Sequence, residues 1–286
     1  MNVAASLLAG SLLLLPLAAQ QQPSAKGVNF YSLDRELQIG RDEAARLIPA
    51  LPVVRVPKLD AYCSSLLGEL GKHADPRFPY SFTVYDDRTP FAAPWVPMDM
   101  PLDAFRWPAG EAVTLPGGSI LIPLRLIAEA PDEAALVFQL AHAMAHAALR
   151  HSTRLATRED LMQMATIPLA EMQRVSTTAA AVALSAGQSA AQLGMLSLAR
   201  QFELAADTMA AAMMADAGYD PARAIAYLEG QAPADVSGPR AFAPRPTTAR
   251  RIEAVRTKME SLPVGVYNAQ TGAFEEIKAL AVGAGR

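Results

Sequence analysis

Hydrophobic and polar positions recur along this chain with two periods, and the longer one dominates. Leu59, Tyr62, Leu66, Leu67 and Leu70 fall at helical spacing with Gly71 near the end of the run, so residues 57–74 are predicted helical, as are residues 34–49. Tyr80–Tyr85 (YSFTVY) alternates with period two and is rich in β-formers, which predicts a strand. Ala112–Leu115 and Ser119–Ile122 predict two short strands turning at Pro116-Gly117-Gly118. Between Arg88 and Gly110 both periods vanish. Pro90, Pro94, Pro97, Pro101 and Pro108 stand there with Trp95 and Trp107, and a segment lacking so many backbone donors is predicted to be an extended loop.

From Pro131 onward the helical period takes over. Pro131 is predicted at the first helical position, with Asp132 and Glu133 in the first turn and Arg150 with His151 at the far end, charges that suit the helix dipole. Ala134–Ala148 between them is apolar on nearly every side, the pattern of a buried helix. Residues 177–199 carry no charge, but Ala, Ser, Thr, Gly and Gln outnumber the strongly lipophilic side chains. The expectation is a packed or membrane-touching helical hairpin in preference to a membrane span. A further helix is expected to run to about Ala217 with Gly218 as its cap, and Asp220-Pro221 to start the next.

Composition narrows the function classes. With 286 residues, 51% of them hydrophobic, the chain can bury a full core and reads as one domain over residues 20–286 behind a targeting segment at 1–19. A net charge of −3 with scattered Lys and Arg excludes a nucleic-acid footprint. Cys63 is the only cysteine, so neither an intrachain disulfide nor a thiolate metal cluster can form. Residues 3–19 form an apolar run ending in small residues and followed by Gln20-Gln21-Gln22, which predicts a signal peptide and a periplasmic or secreted protein. The first residues lack Lys and Arg, so membrane anchoring by an uncleaved segment is the alternative. No cysteine follows the run, which excludes a lipoprotein anchor.

Candidate chemistry gathers in two helical stretches. At about 100° per residue, His142 and His146 sit about 40° apart on one helix face, where two neutral imidazoles can bind one tetrahedral zinc ion. The bland reading is a pair of hydrogen-bonded core histidines. His151 falls roughly 140° from His146 and is read as a C-terminal cap residue. Glu203 and Asp207 lie four residues apart in a run of Ala, Leu and Met, and two carboxylates on an apolar helix are costly without a positive neighbour. Zinc would satisfy Glu203, and an imidazole N–H would satisfy Asp207 from behind the metal.

These stretches, in this order, resemble the gluzincin zinc metallopeptidases of family forty-eight, the family of the CAAX prenyl proteases and of the HtpX-like and BepA-like proteases. The resemblance spans about residues 29–280. Glu111-Ala112-Val113-Thr114-Leu115-Pro116-Gly117-Gly118 is similar to the family's Asn-Ala-x-x-x-Pro-Gly-Gly. Leu140-Ala141-His142-Ala143-Met144-Ala145-His146, followed by Arg150-His151-Ser152, is similar to its Leu-Ala-His-Glu-x-x-His helix. Glu203–Asp207 matches Glu-x-x-Ala-Asp and Ala217–Pro221 matches Ala-Gly-Tyr-Asp-Pro.

The resemblance implies an α+β zincin-like fold, mostly helical with a small sheet, and one zinc ion held by His142, His146 and Glu203 with Asp207 supporting a ligand. It also implies an edge strand beside the zinc helix, Ser119–Ile122, on which Gly118, Ser119, Ile120 and Leu121 would hold an extended protein segment. Three departures stand out. Ala143 occupies the place of the glutamate that moves the proton, and loss of a general base typically costs about 10²- to 10⁴-fold in rate. Arg245-Pro246 stands where periplasmic members have His-Pro, with Arg251 matching the arginine that follows, and both arginines are expected to line the site. Residues 88–110 are an insertion, and Asp99 or Asp103 within it are the candidate substitute bases.

The leading expectation is therefore a zinc-binding envelope protein with proteolysis lost or much reduced, holding unfolded segments or envelope clients in a quality-control or chaperone role. An active metalloendopeptidase with a substitute base and a metal-free interaction protein are the alternatives. Residues 177–199 are expected to supply any contact with a membrane surface.

Overall fold

The computed structural model describes residues 28–89, 110–173, 178–231, 243, 245–267 and 272–285. The predicted signal peptide, most of the 88–110 loop, Asp99 and Asp103 lie outside them. Within the described residues nine α-helices surround a three-stranded sheet: α1 (Leu33–Leu47), α2 (Pro57–Gly71), β1 (Ser81–Tyr85), β2 (Val113–Thr114), β3 (Ser119–Pro123), α3 (Leu124–Glu129), α4 (Glu133–Ala148), α5 (His151–Gln173), α6 (Thr178–Asp216), α7 (Ala222–Gly230), α8 (Thr248–Glu260) and α9 (Phe274–Ala284). The architecture is α+β and mostly helical.

Local chemistry accounts for most of these elements. Ser32 caps α1 by accepting from the Arg35 amide, and Pro57 opens α2. The face of α2 carrying Leu59, Tyr62, Cys63, Leu66, Leu67 and Leu70 is buried in the main core. α4 lies at the middle of that core, with Leu136, Val137, Leu140, Ala141 and Met144 all fully buried. Asp132, not Pro131, is its boundary residue: the Asp132 carboxylate accepts from the Ala135 amide at 2.9 Å, leaving the proline just outside. The helix stops at Ala148, short of the predicted Arg150-His151 end, because Arg150 adopts a φ of 57° and turns the chain.

The sheet order is β1-β3-β2, with β1 parallel and β2 antiparallel to β3. The expectation of an edge strand at Ser119–Ile122 is therefore corrected: β3 is the central strand, its two edges taken by β1 and β2. Gly118 lies in the turn before it, and Ser119, Ile120 and Leu121 pair with Ser81, Phe82 and Thr83. The edge beside α4 is the short β2, whose Val113 and Thr114 pair with Leu121 and Ile120. The turn from β2 to β3 needs glycine at φ 80° and 94° for Gly117 and Gly118. α1 rests on this turn so closely that a Cβ on Gly40 would stand 1.7 Å from the Pro116 carbonyl oxygen.

A second correction concerns the hairpin expected over residues 177–199: among the described residues, 178–199 belong to one continuous helix, α6, 39 residues long, which also takes in the stretch expected as a separate helix and ends at Asp216. No proline interrupts it, and its alanines sustain the helix across Gly187 and Gly194. It packs against α4, α5 and α8, and Met162 of α5 lies against it at Gly194. No described helix is long and apolar enough to cross a membrane.

Candidate metal centre

α4 and α6 cross with their polar positions facing each other. His142 and His146 project from α4, Glu203 and Asp207 from α6, and each pair shares a helix face because its members are four residues apart. Nε2 of His142 lies 3.1 Å from Nε2 of His146. The Glu203 carboxylate closes the group, with Oε2 at 3.7 Å from His142 Nε2 and Oε1 at 3.5 Å from His146 Nε2. Ligands about 2.0–2.1 Å from a tetrahedral zinc ion stand about 3.3 Å apart, so the observed spacings fit one ion of that size.

The chemistry of the donor set agrees with the spacing. His142 Nδ1 lies 2.9 Å from Asp207 Oδ1, and a ring proton placed on Nδ1, facing that carboxylate, leaves the Nε2 lone pair for a cation. Glu203 Oε2 is buried and receives no hydrogen bond. A buried carboxylate oxygen without a donor, beside ring nitrogens that can offer lone pairs, is satisfied by a cation. His142, His146 and Glu203 are the group of the described residues able to hold a metal ion.

Further charges brace this group. Arg251 on α8 gives two hydrogen bonds of 2.7 Å to the fully buried Asp207. Burial alone would raise the Asp207 pKa, but the bonds from Arg251 and the contact with His142 outweigh it and hold the group at about 2. Burial likewise pushes up on Glu203, and the imidazoles with Arg245 and Arg251 overcome it, leaving the carboxyl below its ordinary value. His146 is shifted down to about 4, first by burial and then by the neighbouring His142.

Arg245 reaches Glu203 only at 4.0 Å, because Glu111, just before β2, takes its guanidinium in a two-pronged ion pair. Ala143 is buried at 2% exposure, and its carbonyl accepts from the Thr114 hydroxyl of β2 at 2.5 Å. Among the described residues, the carboxylates associated with the site are thus Glu203, Asp207 and Glu111. Each already has a cationic or imidazole neighbour.

His151 is not a cap residue. The left-handed turn at Arg150 ends α4 and starts α5 at His151, so the ring returns toward the site with its Nδ1 3.1 Å from Nδ1 of His146. Helical projection assumed one continuous helix and so pointed the ring away. Sequence reading also missed Glu111 and Thr114, which no spacing rule links to residues so far along the chain. The Arg150-His151-Ser152 phrase was the available signal for His151.

The family model of Peptidase family M48 matches residues 98–259, more than half of the chain and the whole of the α4–α6 constellation. A metallopeptidase-like protein with a metal-competent His, His and Glu cluster is the functional statement this match and the geometry carry together. This chain belongs to peptidase family M48.

Proposed function

We propose that this protein binds one zinc ion through His142, His146 and Glu203 and has lost most or all proteolysis, using the cleft to hold unfolded or extended protein segments in the cell envelope. The observation that carries the reading is Ala143. It stands between two retained ligands, and no described carboxylate at the site is uncommitted.

Zinc at such a site polarises a carbonyl and lowers the pKa of bound water. The chain's own residues then orient the ligands. Asp207, clasped by Arg251, orients His142. The methyl group of Ala143 neither accepts nor returns a proton, so the step that the family assigns to this position has no uncommitted carboxylate to carry it among the described residues of the site. β2 is the sheet edge that packs on the metal-centre helix α4 among the described residues, and an extended segment would add to it by backbone hydrogen bonds. Leu161, Met164 and Leu193 are exposed on α5 and α6, which supports contact between this arm and a membrane surface or a client.

Metal analysis of the purified chain beside cleavage of an unfolded protein tests the reading. The expected result is one zinc ion per chain and no turnover above background. Ala143→Glu is expected to gain chelator-sensitive cleavage where the cleft admits the longer side chain. Efficient chelator-sensitive cleavage by the unaltered chain would overturn the inactive reading in favour of a substitute base. Absence of metal would favour an interaction protein without zinc.

A further inference from the structure

We infer that His151 is a positioning residue for the metal centre, the acceptor that holds His146 in the tautomer able to bind metal; this rests on the zinc reading above. A neutral imidazole carries one proton. When His146 turns the Nε2 lone pair toward a cation shared with His142 and Glu203, its proton must sit on Nδ1, where the N–H of a half-buried ring turned toward His151 needs an acceptor. Among the described residues the partner of His146 Nδ1 is Nδ1 of His151, at 3.1 Å with the rings edge to face at 82°. His151 then carries its own proton on Nε2.

The surroundings of His151 keep its ring in that place. It is 4% exposed and stacks on Phe202, with centroids 4.2 Å apart and planes 9° from parallel. Phe202 is the residue next to Glu203 on α6, so one helix positions a ligand and the ring that supports another ligand. The turn that delivers His151 is itself built for the purpose. Arg150, a residue with a Cβ, occupies the left-handed region at φ 57°. Its side chain is tied to the buried Glu36 at 2.5 Å and to the Tyr31 carbonyl at 2.7 Å, and Thr153 donates to the same Glu36 carboxylate at 2.9 Å. Without that turn, a residue five positions after His146 on a continuous helix would face away from it.

The two ligand histidines are therefore braced by different chemistry. His142 has the charged Asp207 behind it, and His146 has a neutral ring. Outer partners of this kind typically contribute about 10- to 100-fold in metal affinity.

The experiment measures zinc affinity by competition with a chromophoric chelator for the full chain, His151→Phe and His151→Asn. Phenylalanine keeps the ring stacked on Phe202 but cannot accept, whereas the asparagine amide oxygen can stand near the position of Nδ1. His151→Phe is expected to bind zinc about 10- to 100-fold more weakly, and His151→Asn to recover most of the loss. Equal affinity in His151→Phe and the unaltered chain overturns the assignment while leaving the zinc site intact. Equal weakening in both variants also overturns it, since packing then explains the loss. Should His151→Phe not fold, nitrogen-15 NMR of the zinc-loaded unaltered chain decides: a proton on His146 Nδ1 and none on His151 Nδ1 is expected, and the reverse overturns it. No zinc binding by the unaltered chain sinks this assignment and the metal-centre reading together.

Discussion

The two halves of α6 are spelled in almost the same residues and occupy different worlds. From Ser189 to Leu198 the helix is exposed or half-buried, with Leu193 at 39% exposure and no charged side chain in the stretch. From Phe202 to Met214 it is core: Ala206, Asp207, Ala210, Ala211 and Met214 are fully buried. Charge runs opposite to the ordinary rule, since the only carboxylates before the last turn, Glu203 and Asp207, stand on the buried half where they are costliest. Hydrophobicity does not distinguish the halves. What does is the pair of carboxylates, which marks where cationic and imidazole partners stand.

Breaking that balance produces the largest effect. Asp207→Ala leaves Arg251 buried without its counter-charge and is expected to destabilise the protein by about 3–5 kcal/mol in urea unfolding, with weakened zinc retention. A cost under about 1 kcal/mol would show that Arg251 escapes to solvent and that the buried half tolerates loose charges.

Acid should act on the same half. Burial holds the pKa of His146 at about 4, below its ordinary 6.5, so the unfolded chain binds a proton that the folded chain refuses between those values. Stability from His146 is fully present above about pH 6.5 and is lost as pH falls toward about 4, on the order of 2–3 kcal/mol for the metal-free protein. His151, also depressed by burial, extends the loss to lower pH. Urea midpoints measured at several pH values on metal-free protein check this, and a flat profile from pH 7 to pH 4.5 would contradict it. Zinc at about a hundred times its dissociation constant should add about 2.7 kcal/mol at pH 7.5.

Packing sharpens the comparison with matched substitutions. Ala210→Leu forces three heavy atoms into a filled site and should cost about 1–3 kcal/mol. The same change at the exposed Ala190 should fall within about 0.5 kcal/mol of no effect. Similar costs at both positions would mean that the distal half of α6 is covered in solution, by another molecule or by another segment of the chain.

Much of this molecule is decided locally, and that part was legible. The periodic leucines of α2, the alternation in β1, the glycine turn before β3 and the spacing of His142 with His146 and of Glu203 with Asp207 depend on neighbours a few residues away. The order of motifs also sufficed to indicate the family. Continuity of α6 was misread because uncharged small residues support one helix or two equally well, and only packing against α5 and the core chooses.

The sequence by itself determined the helical periods, the residue types that could hold a metal ion and the alanine at position 143. Tertiary structure alone decided that β3 is central, that Glu111 holds Arg245 across 134 positions, and that the turn at Arg150 brings His151 back to His146. Periodicity and capping are properties of short stretches whose backbone geometry is repetitive. Sheet order, ion pairing across the fold and the direction a chain takes after a left-handed residue depend on which distant surfaces meet, and that is settled by burial of the whole core at once.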